Sequence, residues 1–224
     1  MKGKIKELDG FRIERLNPQE TYPFILKRHY LHRIPPITWA FGLVKDNSIV
    51  GIITIGKPAS PYLCDGICGN EFSSQVYELN RMFIEDGLPK NTASYFISRC
   101  LGYLRPPPHS HSGFIIVSYA DSGKNHCGFV YQSSNWIYTG ITKERTDINS
   151  GELKHSRHYD KNSDHSINRK LRTAKHRYVF FIGDKKFKRL MKEKLKYPLL
   201  PYPKLNPERY ETNSCESQTL INFE

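Results

Sequence analysis

Phe114–Tyr119 reads FIIVSY and runs straight into Ala120-Asp121-Ser122-Gly123. Six residues without a charge, closed by a turn, describe a central strand covered on both faces. Upstream, Asn91–Leu104 repeats apolar residues at Ala93, Phe96, Ile97, Cys100, Leu101 and Leu104, the period of a helix with one buried face. Lys90-Asn91-Thr92 offers capping side chains at its start, and Pro106-Pro107-Pro108 enforces its end. Before that helix, Val76–Ile84 (VYELNRMFI) is strand-like and is turned by Glu85-Asp86-Gly87. Beyond FIIVSY, a helix is expected through Cys127–Ser133 and a strand over Trp136–Gly140. Strand, helix, strand, helix, strand, joined by right-handed crossovers, make an α/β sheet flanked by helices the economical arrangement.

The flanks extend the same pattern. Phe11–Leu16 reads as a short strand, and Pro18–His29 as a helix that Asn17 caps. Pro35-Pro36 closes a turn, after which Thr38–Val44 and Ser48–Ile55 form a hairpin around Lys45-Asp46-Asn47. Pro58, Pro61, Gly66 and Gly69 mark a loop. Residues 143–177 turn to Lys, Arg, His, Asn and Ser and read as an exposed segment. Tyr178–Ile182 is a strand returning to the sheet, Lys185–Lys196 a basic helix, and Tyr197–Pro203 an extended tail.

Of the 224 residues, 34 are Lys or Arg and 22 Asp or Glu, a formal charge of +12. An excess of that size favours a polyanionic partner through phosphate contacts, although solubility alone also explains surface charge. Its concentration between Lys143 and Lys196 tips the reading toward DNA. Lys154, Arg157, Arg169, Lys170, Arg172, Lys175 and Arg177 are the candidate phosphate contacts, with Tyr159 and Tyr178 available for stacking. No long uncharged apolar run suggests a membrane span, and the N-terminus lacks a secretory pattern. The odd count of five cysteines, with Cys64 and Cys68 lacking a second pair at finger spacing, suits a reducing cytoplasm rather than disulfides or structural zinc.

Several residues invite a chemical role. Asp121 follows the carboxyl end of the FIIVSY strand, where open α/β sheets bind ligands, yet Asp there is also an ordinary turn residue. His29 and Tyr30, at the end of the first helix, offer acid, base or hydrogen-bonding chemistry, or plain packing. Arg81 is a charge in an otherwise apolar strand and needs a partner, for which Asp121 or a phosphate is the candidate. Glu78, three residues earlier, falls on the opposite face of an ideal strand. Ser118 and Cys127 are available nucleophiles but read first as packing or substrate contacts.

Val76–Tyr138 resembles the GNAT acyltransferases in element order, and Tyr131-Gln-Ser-Ser-Asn135-Trp136 is similar to a pattern of that fold. A closer resemblance is to the Mom DNA-modification proteins of phages, a diverged GNAT branch. It rests on five ordered blocks: His29-Tyr30 within RHYLHR; Glu78–Arg81 running into DGLPKN; Val117–Asp121; His126 through GFVYQSSNWIYTG; and KHRYVFFIGDKKFKRL with its YP-LLPYPK continuation. The resemblance implies a GNAT-like mixed sheet with a basic insertion and a C-terminal extension. One domain over 1–205 would be followed by a flexible tail at 206–224. It implies transfer of a carbamoylmethyl or related acyl group to the N6 amine of adenine in double-stranded DNA, with the base flipped out. The setting would be the cytoplasm of an infected or lysogenic host, where such DNA resists restriction; a homodimer is left open. Catalytic roles fall to His29, Tyr30, Arg81 and Asp121, an acyl-CoA or acetyl-CoA donor is implied, and iron would be held by Tyr30 and Asp121. Gly87, Lys90, Asn91 and Thr92 would cradle the donor's phosphates at a helix N-terminus. DGLPKNT departs from the R/Q-x-x-G-x-G/A of ordinary GNATs, which leaves a different donor open. The competing readings are a GNAT acetylating a small amine or a protein, which the basic 143–177 segment disfavours, and a non-catalytic DNA-binding protein. Arg81 and Asp121, charges near a sheet interior, disfavour the latter.

Overall fold

The computed structural model describes residues 8–107, 110, 112–148 and 169–204, with the backbone alone at 147, 148, 169 and 170. Its elements run β1 (Arg12–Leu16), α1 (Tyr22–Lys27), β2 (Trp39–Lys45), β3 (Ser48–Gly56), α2 (Pro61–Cys68), β4 (Val76–Ile84), α3 (Thr92–Tyr103) and β5 (Gly113–Asp121). They continue through α4 (Phe129–Ser133), β6 (Ile137–Ile141), β7 (Arg145–Ile148), β8 (Arg169–Arg172), β9 (Lys175–Gly183) and α5 (Lys185–Lys194). Seven strands form one sheet in the order β1-β2-β3-β4-β5-β9-β6, while β7 and β8 pair with each other. Among the described strands only β4 and β5 pair in parallel. The expected mixed sheet flanked by helices is what forms.

The FIIVSY strand is covered on both sides. Ile115 and Val117 pack with Val76, Val179, Phe181 and Phe187 against α2 and α5. Ile116, alternating to the other face, packs against Phe96, Ile97 and Leu101 of α3 and the fully buried Trp136. Each fully buried aliphatic side chain contributes about 1.5–3 kcal/mol of hydrophobic stabilisation, so this strand is the pin of both layers.

Three expectations need correction. The stretch read as a loop around Pro61 and Gly66 contains α2, which starts with Pro61 in its first turn and ends at Gly69, φ 110°. The helix expected over Pro18–His29 is a 3-10 turn at Pro18–Thr21 followed by α1. Pro23 has no N–H to donate, so it fits the first turn of a new helix and not the interior of a long one. His29 and Tyr30 therefore stand in the loop after α1. Finally, β9 enters between β5 and β6, so the second crossover expected beside β5 is replaced by an antiparallel neighbour. Within the basic stretch, β7 and β8 put Arg145 opposite Arg172. Lys154, Arg157 and the 206–224 tail lie outside the described residues.

The parallel pairing of β4 and β5 covers only Val76↔Ile115, Tyr77↔Ile116 and Glu78↔Val117. Beyond it β4 follows β3 through a bulge, in which Ile55 faces Leu79 and Thr54 faces Arg81, leaving Asn80 as the extra residue. Where the backbones part, the Ser118 hydroxyl donates to the Leu79 carbonyl at 2.9 Å and lies 2.8 Å from the Tyr131 hydroxyl. A hydroxyl has one proton and a carbonyl only accepts, so Tyr131 donates to Ser118 in turn. Ser118, a candidate nucleophile by type, is thus a tie across the parting strands. Ser118→Ala is expected to cost about 1–3 kcal/mol, the cost of a buried carbonyl left without its donor, as measured by urea denaturation.

Candidate active site

The parting of β4 and β5 opens a cavity of about 1030 Å³. That is at the upper end for a pocket holding one small ligand, and it leaves room for two reactants. Its walls include His29, Tyr30, Arg81 and Asp121 together with Gly87, Lys90, Asn91 and Thr92. The two groups of residues singled out in the sequence, for chemistry and for the donor, therefore line one space.

One end of the cavity is built by the turn after β4. Gly87 takes φ 75° and Asn91 φ 69°, left-handed conformations that fold the chain back and launch α3. The Thr92 hydroxyl donates to the Pro89 carbonyl at 2.6 Å and is buried, so Thr92 serves the turn itself. The anion-attracting groups left at this end are the first-turn amides of α3 and the Lys90 side chain.

The opposite end gathers the charges. Arg81 is buried at 6 % exposure. Its Nε and Nη2 donate to the Arg33 carbonyl at 3.3 and 3.0 Å and its Nη1 to the Asn80 carbonyl at 2.6 Å. Arg81 does not pair with Asp121, contrary to the sequence expectation. Asp121 Oδ1 accepts from the Thr173 hydroxyl and, at 3.0 Å, from the Gly123 amide, while Oδ2 faces Lys175 Nζ at 3.5 Å. Tyr30 lines the same cavity, and its phenol pKa is raised by burial and by Asp121 and pulled back by Arg81 and Arg172. The carboxylate and the guanidinium thus both act on the phenol while each keeps its own partners.

The bulge also corrects Glu78. One extra residue inverts the alternation of side chains, so Glu78 and Arg81 share a face. Burial raises the Glu78 pKa, with Arg81, Lys175 and Arg172 opposing it. An ideal strand puts Glu78 on the other side, and nothing in VYELNRMFI marks a bulge; Glu78 lies behind the residues that line the cavity and acts on them only through its charge.

His29 stacks on Tyr30, ring centroids 4.6 Å apart. Its Nδ1 accepts from the Leu31 amide at 3.2 Å, which leaves the proton on Nε2. Burial, then Arg81, His32 and Lys175, lower its pKa to about 3, so the ring is neutral at pH 7.

Iron at Tyr30 and Asp121 does not fit these surroundings. The Asp121 oxygens already face an ammonium, a hydroxyl and an amide, and the raised Tyr30 pKa opposes a phenolate ligand. Among the described residues no three His, Cys, Asp or Glu side chains gather as a metal site would need.

The basic candidates divide. Lys175 is committed to Asp121. Arg177 donates to the Thr139 hydroxyl and carbonyl at 2.9 and 3.1 Å and lies 3.4 Å over the Tyr197 ring, so it holds β6 and the tail. Tyr178 is buried and bonded to Gln132 and the Cys127 carbonyl, which removes it from base stacking. Arg172 stands close enough to lower the Tyr30 pKa. Arg169 and Lys170 are in β8, and their side chains lie outside the described residues.

The model of the Mom protein family matches residues 10–204, a span that takes in every described strand and helix. The chain belongs to that family. A further relative of this Mom family member is the methylcarbamoylase mom of Escherichia phage Mu, 25 % identical over 207 residues, covering 86 % of this chain and 83 % of that one. Solved acetyltransferases are loosely similar. One of the GNAT family from Streptococcus pneumoniae is 10 % identical, with 77 % of this chain and 99 % of that one covered at a TM-score of 0.43. A putative acetyltransferase from Salmonella typhimurium, determined with acetyl-CoA, is 9 % identical, with 79 % and 96 % covered at 0.46. No described helix is long and apolar enough to cross a membrane.

The neutral His29 makes a prediction about stability. Its folded pKa lies below the unfolded value of 6.5, so the unfolded chain binds more protons between the two. Stability contributed by the neutral ring is complete above pH 6.5 and is lost as the pH falls toward 3, by about 1.4 kcal/mol per unit. In urea titrations at pH 7 and pH 5, His29→Gln should lose less stability between the two than the unaltered protein does. Equal losses would mean that the ring is not held neutral.

Proposed function

We propose that the chain transfers a small carbonyl-bearing group, carbamoylmethyl or a related acyl group, to the N6 amine of adenine in double-stranded DNA, a reading supported by its phage Mu relative being a methylcarbamoylase. The observation that carries this reading is the single cavity with a helix N-terminus and Lys90 at one end and Tyr30, Asp121 and Arg81 at the other. A donor whose phosphates meet the α3 amides reaches toward the parting strands, where an acceptor base meets it. For an acyl group, an acyl-CoA or acetyl-CoA-type donor suits the volume of the cavity, its thiol leaving as the new amide forms; a carbamoylmethyl group, bonded through its methylene, needs a donor of another kind. Protection of phage DNA from restriction inside a bacterial host is the role that follows, because restriction enzymes read the N6 amine in the major groove.

The adenine amine is a weak nucleophile and must give up a proton as its new bond forms. Asp121, held by Thr173, Gly123 and Lys175, is fixed as an acceptor that orients an N–H. Asp121, the carboxylate that lines the cavity beside Tyr30 and Arg81, is also the group suited to take that proton. The His29–Tyr30 stack presents a ring face to a swung-out base and a neutral Nε2–H to the developing charge. Arg172, in the basic ribbon of β7 and β8, meets a phosphate beside the target nucleotide.

Co-expression with a plasmid, followed by nucleoside mass measurement, tests the reading. A heavier deoxyadenosine is expected with the unaltered chain. At least a tenfold loss is expected with Asp121→Asn, which is near-isosteric and removes the carboxylate, or with Tyr30→Ala, which removes the ring face. An unchanged nucleoside profile alongside tight plasmid binding supports a DNA-binding protein without this chemistry. In binding titrations Arg172→Ala should reduce the slope of log affinity against log salt by roughly one, the signature of one lost phosphate contact. An unaltered slope would remove Arg172 from the interface.

A further inference from the structure

Tyr30 reaches the cavity from residues 28–38, a stretch with no strand or helix of its own. Besides the backbone bond from Thr38 to Ile55 of β3 and the contacts of Arg28, His29 and His32 with α1, three side-chain anchors hold that stretch, each involving β4 or the residue that follows it. Arg28 Nη1 donates to Glu85 at 2.6 Å. The Arg81 guanidinium holds the Arg33 carbonyl. Asn80 Nδ2 donates to the Pro36 carbonyl at 2.8 Å. The first is a half-exposed ion pair, which contributes little, and the other two are bonds to backbone carbonyls at the bulge.

Asn80 is the extra residue of that bulge, which takes its side chain out of the ordinary alternation. Its Oδ1 accepts from the Thr54 hydroxyl at 2.6 Å, so the amide is fixed with Nδ2 toward Pro36. The neighbouring strand makes room for the contact. A Cβ on Gly56 would lie 1.9 Å from the Pro36 carbonyl oxygen, so only glycine lets the loop come this near. Thr54, Gly56 and Asn80 together form a seat for one carbonyl of the loop, and Asn80 itself lines the cavity.

We propose that Asn80 is a positioning residue, clamping the 28–38 loop so that Tyr30 is held in the cavity wall it shares with Asp121 and Arg81. The inference rests on the function proposed above. The physical reason is that an unanchored loop samples many conformations, and a displacement of about 1 Å at a reacting group can cost on the order of a hundredfold in rate. Asn80 touches no reacting atom and acts through Tyr30.

Asn80→Asp separates the two halves of the seat. It keeps an acceptor for Thr54 but puts an oxygen against the Pro36 carbonyl, so the clamp opens. Amide hydrogen exchange should rise at least tenfold at Leu31 and His32, whose amides are hydrogen-bonded within the loop, while α3 stays protected. Plasmid modification should fall at least tenfold. The double variant Asn80→Asp, Tyr30→Ala should modify DNA no worse than Tyr30→Ala alone, since both changes remove one arrangement. A purely structural Asn80 would instead multiply the losses and loosen α3 as well, and either result overturns the proposal, as does unchanged exchange at Leu31 and His32. If Asn80→Asp does not fold, Thr54→Val frees the Asn80 amide, and loop exchange is read on it. If the unaltered chain modifies no DNA, the functional reading falls, and exchange in the loop alone decides the clamp.

Discussion

The backbone ladder between β4 and β5 is three residue pairs long, and the site depends on its ending there. Had the ladder continued, Leu79 through Ile84 would be buried against β5 and no cavity would exist between them. The bulge at Asn80 keeps β4 with β3 while β5 follows β9 down its whole length, Gly113↔Gly183 to Asp121↔Lys175. Ser118 satisfies the carbonyl at the fork, so the opening leaves no orphaned acceptor at Leu79.

From that fork the remaining geometry follows. The end of β5 delivers Asp121, and β9, lying beside it, delivers Lys175 to its carboxylate. Continuing past β4, the chain makes the left-handed turn that starts α3 and supplies the donor end. The outer half of β4 holds the loop that carries His29 and Tyr30. One irregularity in one strand thus places three walls of the cavity, a common use of β-bulges beside functional sites.

Much of this was legible in the residues. VYELNRMFI and FIIVSY announce their strands because uninterrupted apolar runs have few other solutions, and the 3.6 period over Asn91–Leu104 gave α3 nearly to the residue. The candidates His29, Tyr30, Asp121 and Asn91 were found by residue type, position relative to elements and family resemblance, and they do line one cavity. What escaped the sequence has a common cause. The Arg81–Asp121 pairing failed because a buried guanidinium is satisfied as well by backbone carbonyls as by a carboxylate, and carbonyls carry no signature in the sequence. Glu78 and Arg81 fall on opposite faces of an ideal strand, and the extra residue at Asn80 puts them on one. Thr173 and Lys175, the partners of Asp121, lie more than fifty residues away and arrive only when β9 inserts between β5 and β6. α2 was hidden because Pro61 and Gly66, read as loop residues, sit where a helix accepts them.

The central claim is that one cavity brings an adenine and a donor together at the fork of β4 and β5. It is tested most directly by a crystal structure of the protein on a duplex containing a mismatched adenine. The account predicts that base outside the helix, its ring against the His29–Tyr30 stack and its N6 within hydrogen-bond reach of Asp121. An adenine that stays stacked, with the duplex lying across a surface away from Tyr30 and Asp121, would contradict it.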